Sequence, residues 1–149
     1  VDAFQTDGNT DVKDGMDIAL CTIDKKSGVL KFAGANNECL IIRNGQVIEL
    51  KPDKQPIGQF IDAKPFNQHE FQLEDGDCVY MTTDGYVDQF GGERMKKFKS
   101  KPFKALLTSI YQLDMQLQYK EIQQSFDAWK GDLDQVDDVC VFAVRYKKA

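Results

Sequence analysis

The stretch "CVYMTTDGYVDQFGG" (78–92) joins an apolar run to a carboxylate, a glycine and a loop. Residues 78–83 are rich in strand-forming types, and Asp84 follows them directly. Gly85 comes next, and we expect its freedom at positive φ to let the chain turn away sharply. Two interpretations are open from this stretch: a solvated turn, or a metal ligand held at the rim of a sheet.

The composition is typical of a globular protein with one hydrophobic core. The chain has 149 residues, 42% of them hydrophobic, so we predict a single domain over residues 1–149. The net charge of −5 argues against nucleic acid or an anionic membrane surface as the partner. No apolar run approaches the roughly 20 residues that a membrane-spanning helix needs.

The cysteines and the single histidine exclude several site types. No two cysteines form a CxxC pair, so zinc-finger and Cys/His nucleophile interpretations fail. Buried free thiols are typical of a reducing compartment, which predicts a cytoplasmic location. No secretory signal is visible, and because Val1 is not an initiator we expect the chain to be cut from a longer protein.

Alternating apolar residues predict most of the strands. Residues 16–24 and 138–146 are apolar on both alternation phases, which predicts strands buried on both faces. Residues 29–34 are the expected partner of the first strand. Residues 39–50 form a hairpin around Asn-Gly, the preferred type I′ turn sequence. Residues 69–85 form a second hairpin-like unit.

The remaining segments complete the predicted fold. Polar residues 6–15 and the proline-containing segment 51–60 are predicted loops. Apolar residues at helical spacing predict one helix around 103–110 and a longer one around 115–129, between an Asp114 N-cap and a Gly131 stop. The long helix should bury Met115, Tyr119, Ile122, Phe126 and Trp129. The order of elements indicates an α+β fold in which a sheet packs against helices and a second sheet.

Acidic residues fall at two predicted strand ends. Asp84 follows one strand, and Asp137 and Asp138 precede the last one. If these strands are antiparallel neighbours, all three acids lie at one end of the sheet. Mg²⁺ and Mn²⁺ prefer such oxygen ligands, and clustered acids need a compensating charge. The alternative is a solvated turn, and a calcium loop over 132–138 is a weaker rival because it lacks the glycine at its sixth position.

A basic run, "MKKFKSKPFK" (95–104), holds five lysines between apolar residues. The first interpretation is a solvated start of a helix. The second is a positive rim that attracts a phosphorylated substrate towards the acidic site. The sequence leaves both open.

Five stretches, taken in order, resemble the C-terminal part of a metal-dependent serine/threonine phosphatase of the protein phosphatase 2C superfamily. The branch they resemble most is the bacterial stage II sporulation protein E type. The resemblance implies an antiparallel β-sandwich flanked by helices, with two Mn²⁺ or Mg²⁺ ions at one end. The matching stretches are residues 14–24, 30–45, 56–58, 73–92 and 135–145.

The resemblance also implies roles for particular residues. Asp84 and Gly85 of the "TDG" motif belong at the metal site, with Asp84 and Asp137 as catalytic metal ligands and Asp138 as the second candidate of its pair. Asp88 matches an acid that the branch often places after this motif. The family's early aspartate and its Gly-His-Gly segment do not occur here. We therefore expect the N-terminal part of the phosphatase domain to be missing from this chain.

The implied function is hydrolysis of phosphoserine or phosphothreonine on a regulatory protein, with a sensory or receiver domain upstream. One alternative is a non-catalytic module that binds a phosphoprotein or another partner, and another is a structural domain without metal. The strand faces left without cover also predict self-association.

Overall fold

The structure is a computed structural model that describes residues 15–58 and 63–148. The described residues form a four-stranded and a three-stranded antiparallel sheet, with two short two-stranded ribbons. Two longer helices pack on the four-stranded sheet. The strands are β1 (Gly15–Met16), β2 (Ile18–Ile23), β3 (Val29–Ala35), β4 (Cys39–Arg43), β5 (Gln46–Leu50), β6 (Ile57–Gly58), β7 (His69–Gln72), β8 (Cys78–Thr82), β9 (Phe90–Gly91), β10 (Lys96–Lys97) and β11 (Val141–Arg145), and the helices are α1 (Gly85–Asp88), α2 (Ser100–Ile110) and α3 (Met115–Lys130).

The four-stranded sheet is the middle layer, with strand order β11-β8-β4-β5. Its central strand β4 alternates between the two cores. Leu40 and Ile42 face the helices, whereas Cys39 and Ile41 face the three-stranded sheet. This is why the strand is apolar at four successive positions, and it confirms the predicted α+β sandwich of two sheets with helices.

The three-stranded sheet has the order β2-β3-β7. The predicted strands over 16–24 and 138–146 exist, but the prediction that both are buried on both faces is wrong. β2 and β11 are edge strands of their sheets. Leu20 is 59% exposed and Phe142 is 53% exposed, because no layer of the described residues covers those faces.

The second predicted hairpin is also wrong. β7 pairs with β3, whereas β8 lies in the other sheet between β4 and β11. The segment 73–77 crosses between the sheets and is anchored by Asp77, which is only 2% exposed. The carboxylate of Asp77 accepts hydrogen bonds from the Arg43 guanidinium and from the Glu74 N–H. An ion pair between the buried Asp77 and the partly exposed Arg43 therefore fixes a crossing that the turn sequence alone does not predict.

The first hairpin and both long helices are confirmed. Asn44 and Gly45 have φ of 50° and 76°, as a type I′ turn requires. Asp114 caps α3, since its carboxylate accepts from the Leu117 N–H at 2.9 Å. Gly131 ends the helix with φ of 56°. Tyr119 is 66% exposed, so its predicted burial is wrong: the buried stripe of α3 is Gln118, Ile122 and Phe126.

The loop predictions are tested only in part. Residues 6–14 and 59–60 lie outside the described residues, Gly15 belongs to β1, and residues 57–58 form the short strand β6. Cys39 and Cys78 are buried free thiols, whereas Cys140 is exposed, so the predicted burial of the cysteines holds only for some of them. Across the described ranges, every helix is too short or too polar to cross a membrane.

Candidate metal centre

The end of β8 and the start of β11 meet at one end of the four-stranded sheet. The two strands are antiparallel, with Val141 opposite Thr82. Thr83 extends the pairing beyond the strands, because its N–H donates to the Cys140 carbonyl at 3.1 Å. Its hydroxyl donates to the Asp138 carbonyl at 2.8 Å and accepts from the Cys140 N–H at 3.0 Å. The segment that carries Asp84 is thus bound directly to the segment that carries Asp138.

Gly85 allows a close approach between the same two segments. A Cβ at this position would lie 2.5 Å from the Asp138 carbonyl oxygen and 3.3 Å from the Val139 side chain. Gly85 is the first residue of α1 and does not adopt a positive φ, so the conformational role predicted for it is wrong. The glycine is needed because any side chain would push the two segments apart.

Asp84 presents an exposed carboxylate at this end of the sheet. It occupies the N-cap position of α1, but its side chain makes no capping hydrogen bond. Its backbone carbonyl accepts from the Asp88 N–H at 2.9 Å, which closes the short helix. Buried Tyr86 anchors the helix, because its hydroxyl donates to the Ile122 carbonyl at 2.9 Å. Burial also raises the pKa of the Tyr86 hydroxyl. The carboxylate of Asp84 is therefore held on a fixed backbone.

Asp137 and Asp138 lie opposite Asp84, in the loop before β11. Both are exposed. Asp137 accepts from the Asp138 N–H through Oδ1 at 2.7 Å, and its carbonyl accepts from the Gln135 side chain at 2.8 Å. The structure thus brings Asp84, Asp137 and Asp138 to the same end of the sheet, as their positions in the sequence predict.

Asp88 is used differently from these three acids. Its carboxylate forms an ion pair with Lys97 at 2.8 Å, which ties β10 of the basic run to α1. The backbone reinforces this link, since the Lys99 N–H donates to the Val87 carbonyl at 2.7 Å. The basic run therefore lies beside the acidic site, and Lys96 and Lys99 are exposed there.

Sequence reasoning missed Thr83 and Gln89 at this site. The Thr83 hydroxyl binds only backbone atoms of Asp138 and Cys140, which lie 55 and 57 residues further along the chain. Gln89 is fully buried, and its side chain binds the backbone of residues 134 and 136. Neither contact leaves a motif in the sequence.

The donors at this site suit a hard divalent cation. All are carboxylate oxygens, which Mg²⁺ and Mn²⁺ prefer, and such ions use one or two protein carboxylates together with water. Within residues 15–58 and 63–148, no three His, Cys, Asp or Glu side chains are grouped closely enough to hold an ion. The described residues therefore fit a divalent metal ion in their chemistry, but they do not form a complete set of ligands for one.

A family model described as stage II sporulation protein E (SpoIIE) matches residues 3–147. The chain belongs to the SpoIIE family. This confirms the family predicted from the five stretches of sequence. No curated protein sequence matches the chain.

Solved structures share the SpoIIE-type fold. The SiaA-PP2C domain of Pseudomonas aeruginosa is 28% identical with a TM-score of 0.82, over 88% of this chain and 52% of that one. A Bacillus subtilis SpoIIE structure with the PP2C phosphatase domain and a fragment of the regulatory domain is 22% identical with a TM-score of 0.71, over 87% and 37%. A Mn-presoaked SpoIIE phosphatase domain from the same organism is 19% identical with a TM-score of 0.68, over 89% and 57%. The chain thus spans little more than half, or less, of these solved chains.

Proposed function

We propose that the full-length protein is a metal-dependent serine/threonine phosphatase and that this chain carries part of its metal site. One observation carries the proposal. Thr83 and Gly85, on either side of Asp84, both contact the Asp138 backbone and so bring the acids together. Membership of the SpoIIE family supports the same function.

The proposed ion is Mn²⁺ or Mg²⁺, in keeping with the Mn-presoaked relative. Asp84 and Asp137 would hold it, with Asp138 as a further ligand and the Gly85 backbone against the site. When bound, such an ion lowers the pKa of its water, which then hydrolyses a phosphate monoester. Thr83 and Gly85 fix the backbone of the two segments that carry these carboxylates.

The proposed substrate is a phosphorylated regulatory protein in the cytoplasm. The exposed lysines of β10 and the following turn would draw a phosphorylated segment towards the site. A B. subtilis relative includes a fragment of a regulatory domain, which supports a sensory or receiver domain upstream here.

The exposed faces of β2 and β11 support self-association of the chain. A mass in sedimentation that stays monomeric at every concentration would contradict self-association.

A second candidate function is a phosphoprotein-binding module without catalysis. The observation that favours it is that the described residues do not group three potential ligands for an ion. Such a module would keep the basic rim and the fold of the site, and would bind a phosphoprotein without turning it over.

Hydrolysis of an aryl phosphate by the full-length protein tests the proposal. We expect Mn²⁺-dependent turnover that falls about 100-fold or more in Asp84→Asn, because the carboxylate holds the ion. Glu121→Gln is the control, since Glu121 is an exposed acid on α3 and its loss should leave turnover unchanged. A folded wild type that binds Mn²⁺ without turnover would instead support the binding module.

A further inference from the structure

Gln89 is a polar residue in a fully buried position. It lies between α1 and β9, and its relative exposure is 0%. A buried amide is costly unless its donors and acceptor are paired, and no buried side-chain polar atom of the described residues is left without a partner. The partners of Gln89 therefore indicate what the residue is for.

The side chain of Gln89 crosses from the segment of Asp84 to the segment of Asp137. Its Oε1 accepts from the Val136 N–H at 3.2 Å. Its Nε2 donates to the Asp134 carbonyl at 2.9 Å and to the Phe90 carbonyl at 3.0 Å. Its side chain thus holds the loop before β11 at two points.

The backbone of Gln89 is fixed as well. Its carbonyl accepts from the indole N–H of Trp129 at 3.0 Å and from the Phe98 N–H at 3.0 Å. The rings of Phe98 and Trp129 contact each other edge to face, with centroids 5.5 Å apart. Gln89 is therefore attached to α3 and to the β9–β10 ribbon, which makes it a rigid support for the loop.

Asp137 lies between two such attachments. Gln89 holds Val136 on one side, and Thr83 holds Asp138 on the other. We infer that Gln89 is a positioning residue that sets the place of Asp137 relative to Asp84 at the metal site. This inference rests on the proposed function. Residues that orient metal ligands without touching the ion typically change its affinity by about 10–100-fold when substituted.

Gln118 offers a matched control within the same protein. It is also fully buried, and its Oε1 accepts from the Tyr80 hydroxyl at 2.6 Å. Its Nε2 donates to the Tyr111 and Leu113 carbonyls at 3.0 and 2.9 Å. It therefore fixes α3 against β8 without contacting the loop of Asp137.

The experiment compares Gln89→Met with Gln118→Met in the full-length protein. Methionine keeps the volume but removes the hydrogen bonds, so both variants should lose stability by a similar amount. Titration of Mn²⁺ by calorimetry should show about 10-fold weaker binding for Gln89→Met and a change within about twofold for Gln118→Met. Phosphatase activity of Gln89→Met should recover at saturating Mn²⁺, whereas Gln118→Met, with a similar loss of stability, should need no additional Mn²⁺. Hydrogen exchange over residues 134–138 should be faster in Gln89→Met alone.

A second pair of variants covers the case in which Gln89→Met does not fold. Val136 is 53% exposed, so Val136→Pro removes the N–H bound to Gln89 without removing a buried side chain, while Val136→Ala keeps that N–H. We expect weaker Mn²⁺ binding only for Val136→Pro. Val136→Pro replaces Gln89→Met in this test if Gln89→Met does not fold. Wild-type Mn²⁺ affinity together with wild-type hydrogen exchange in the folded variant would overturn this inference and leave the phosphatase proposal intact. A folded wild type that binds no Mn²⁺ would overturn both.

Discussion

Two aspartates at the two ends of β8 have opposite surroundings. Asp77 precedes the strand, is 2% exposed and is paired with the Arg43 guanidinium at 2.6 Å. Asp84 follows the strand and is exposed, and the described residues place no Lys or Arg within ion-pair distance of its carboxylate. The charge of Asp77 is satisfied by the protein itself, whereas Asp84 lies near two further acids whose charges remain to be compensated.

The two ends of this strand therefore use their polar groups in different ways. At the Asp77 end, the polar groups are used to fix a crossing between the sheets. At the Asp84 end, the polar contacts come from Thr83 and Gln89 and are made to backbone atoms. The three acids at this end are exposed and form no ion pair with the described residues, which leaves their charge free to attract a cation.

The largest expected effect on stability is at the Asp77 end. Arg43→Met would leave the Asp77 carboxylate buried without its cation and should lower the unfolding free energy by about 3–5 kcal/mol. Lys31→Met is the control, because its pair with Glu70 is exposed and should contribute less than about 1 kcal/mol. Urea unfolding measures both, and Mn²⁺ affinity of the folded Arg43→Met protein should be unchanged. A weaker Mn²⁺ affinity in Arg43→Met would show that the Asp77 end of β8 also influences the metal site.

Gly85→Ala should affect stability and the site together. The new methyl group would meet the Asp138 carbonyl at 2.5 Å and force the two segments apart, at a cost of about 1–3 kcal/mol. Because the acids move with those segments, phosphatase turnover should fall about 100-fold. Turnover and urea midpoint at wild-type levels would show that the close approach is not needed.

Thr83→Val removes one hydroxyl that makes two hydrogen bonds to the Asp138 segment. We expect a loss of about 1–3 kcal/mol and weaker Mn²⁺ binding, because the loop of Asp137 loses one of its two attachments. Thr82→Val is the matched control, since the Thr82 hydroxyl donates only to the neighbouring carbonyl of Thr83. Equal Mn²⁺ affinities for the two variants would contradict the role given to Thr83.

The smallest effect is expected at the basic run beside Asp84. Lys96→Glu combined with Lys99→Glu should raise KM for a phosphoprotein several-fold and leave kcat for an aryl phosphate unchanged, since surface charge acts on encounter. The increase should shrink as salt is added. Lys120→Glu on α3 provides a control of exposed charge away from the site. An unchanged KM would favour the interpretation of the run as a solvated helix start.

The sequence predicts the elements of this fold better than their assembly. Periodicity and caps predict α2, α3 and the β4–β5 hairpin, because these depend on residues near in the chain. The crossing at 73–77 depends on Asp77 meeting Arg43, 34 residues earlier, which a local turn pattern does not encode.

The same distinction holds at the candidate site. Asp84, Asp137 and Asp138 were predictable because strand ends and carboxylates are visible in the sequence. Thr83 and Gln89 were not predictable, because their side chains bind backbone atoms of a distant segment. Backbone atoms are the same in every residue type, so such a contact leaves no pattern in the sequence. The reason for Gly85 was also hidden, because it is a contact with Asp138 and not a local φ.

Asp84, and not Asp77, is the aspartate beside β8 that we propose for the metal site. Calorimetric titration of Mn²⁺ into the full-length wild type, Asp84→Asn and Asp77→Asn distinguishes the two residues. We expect Asp84→Asn to bind Mn²⁺ at least about 10-fold more weakly than wild type, whereas folded Asp77→Asn should bind it with wild-type affinity. Wild-type affinity in Asp84→Asn would contradict the proposed metal site.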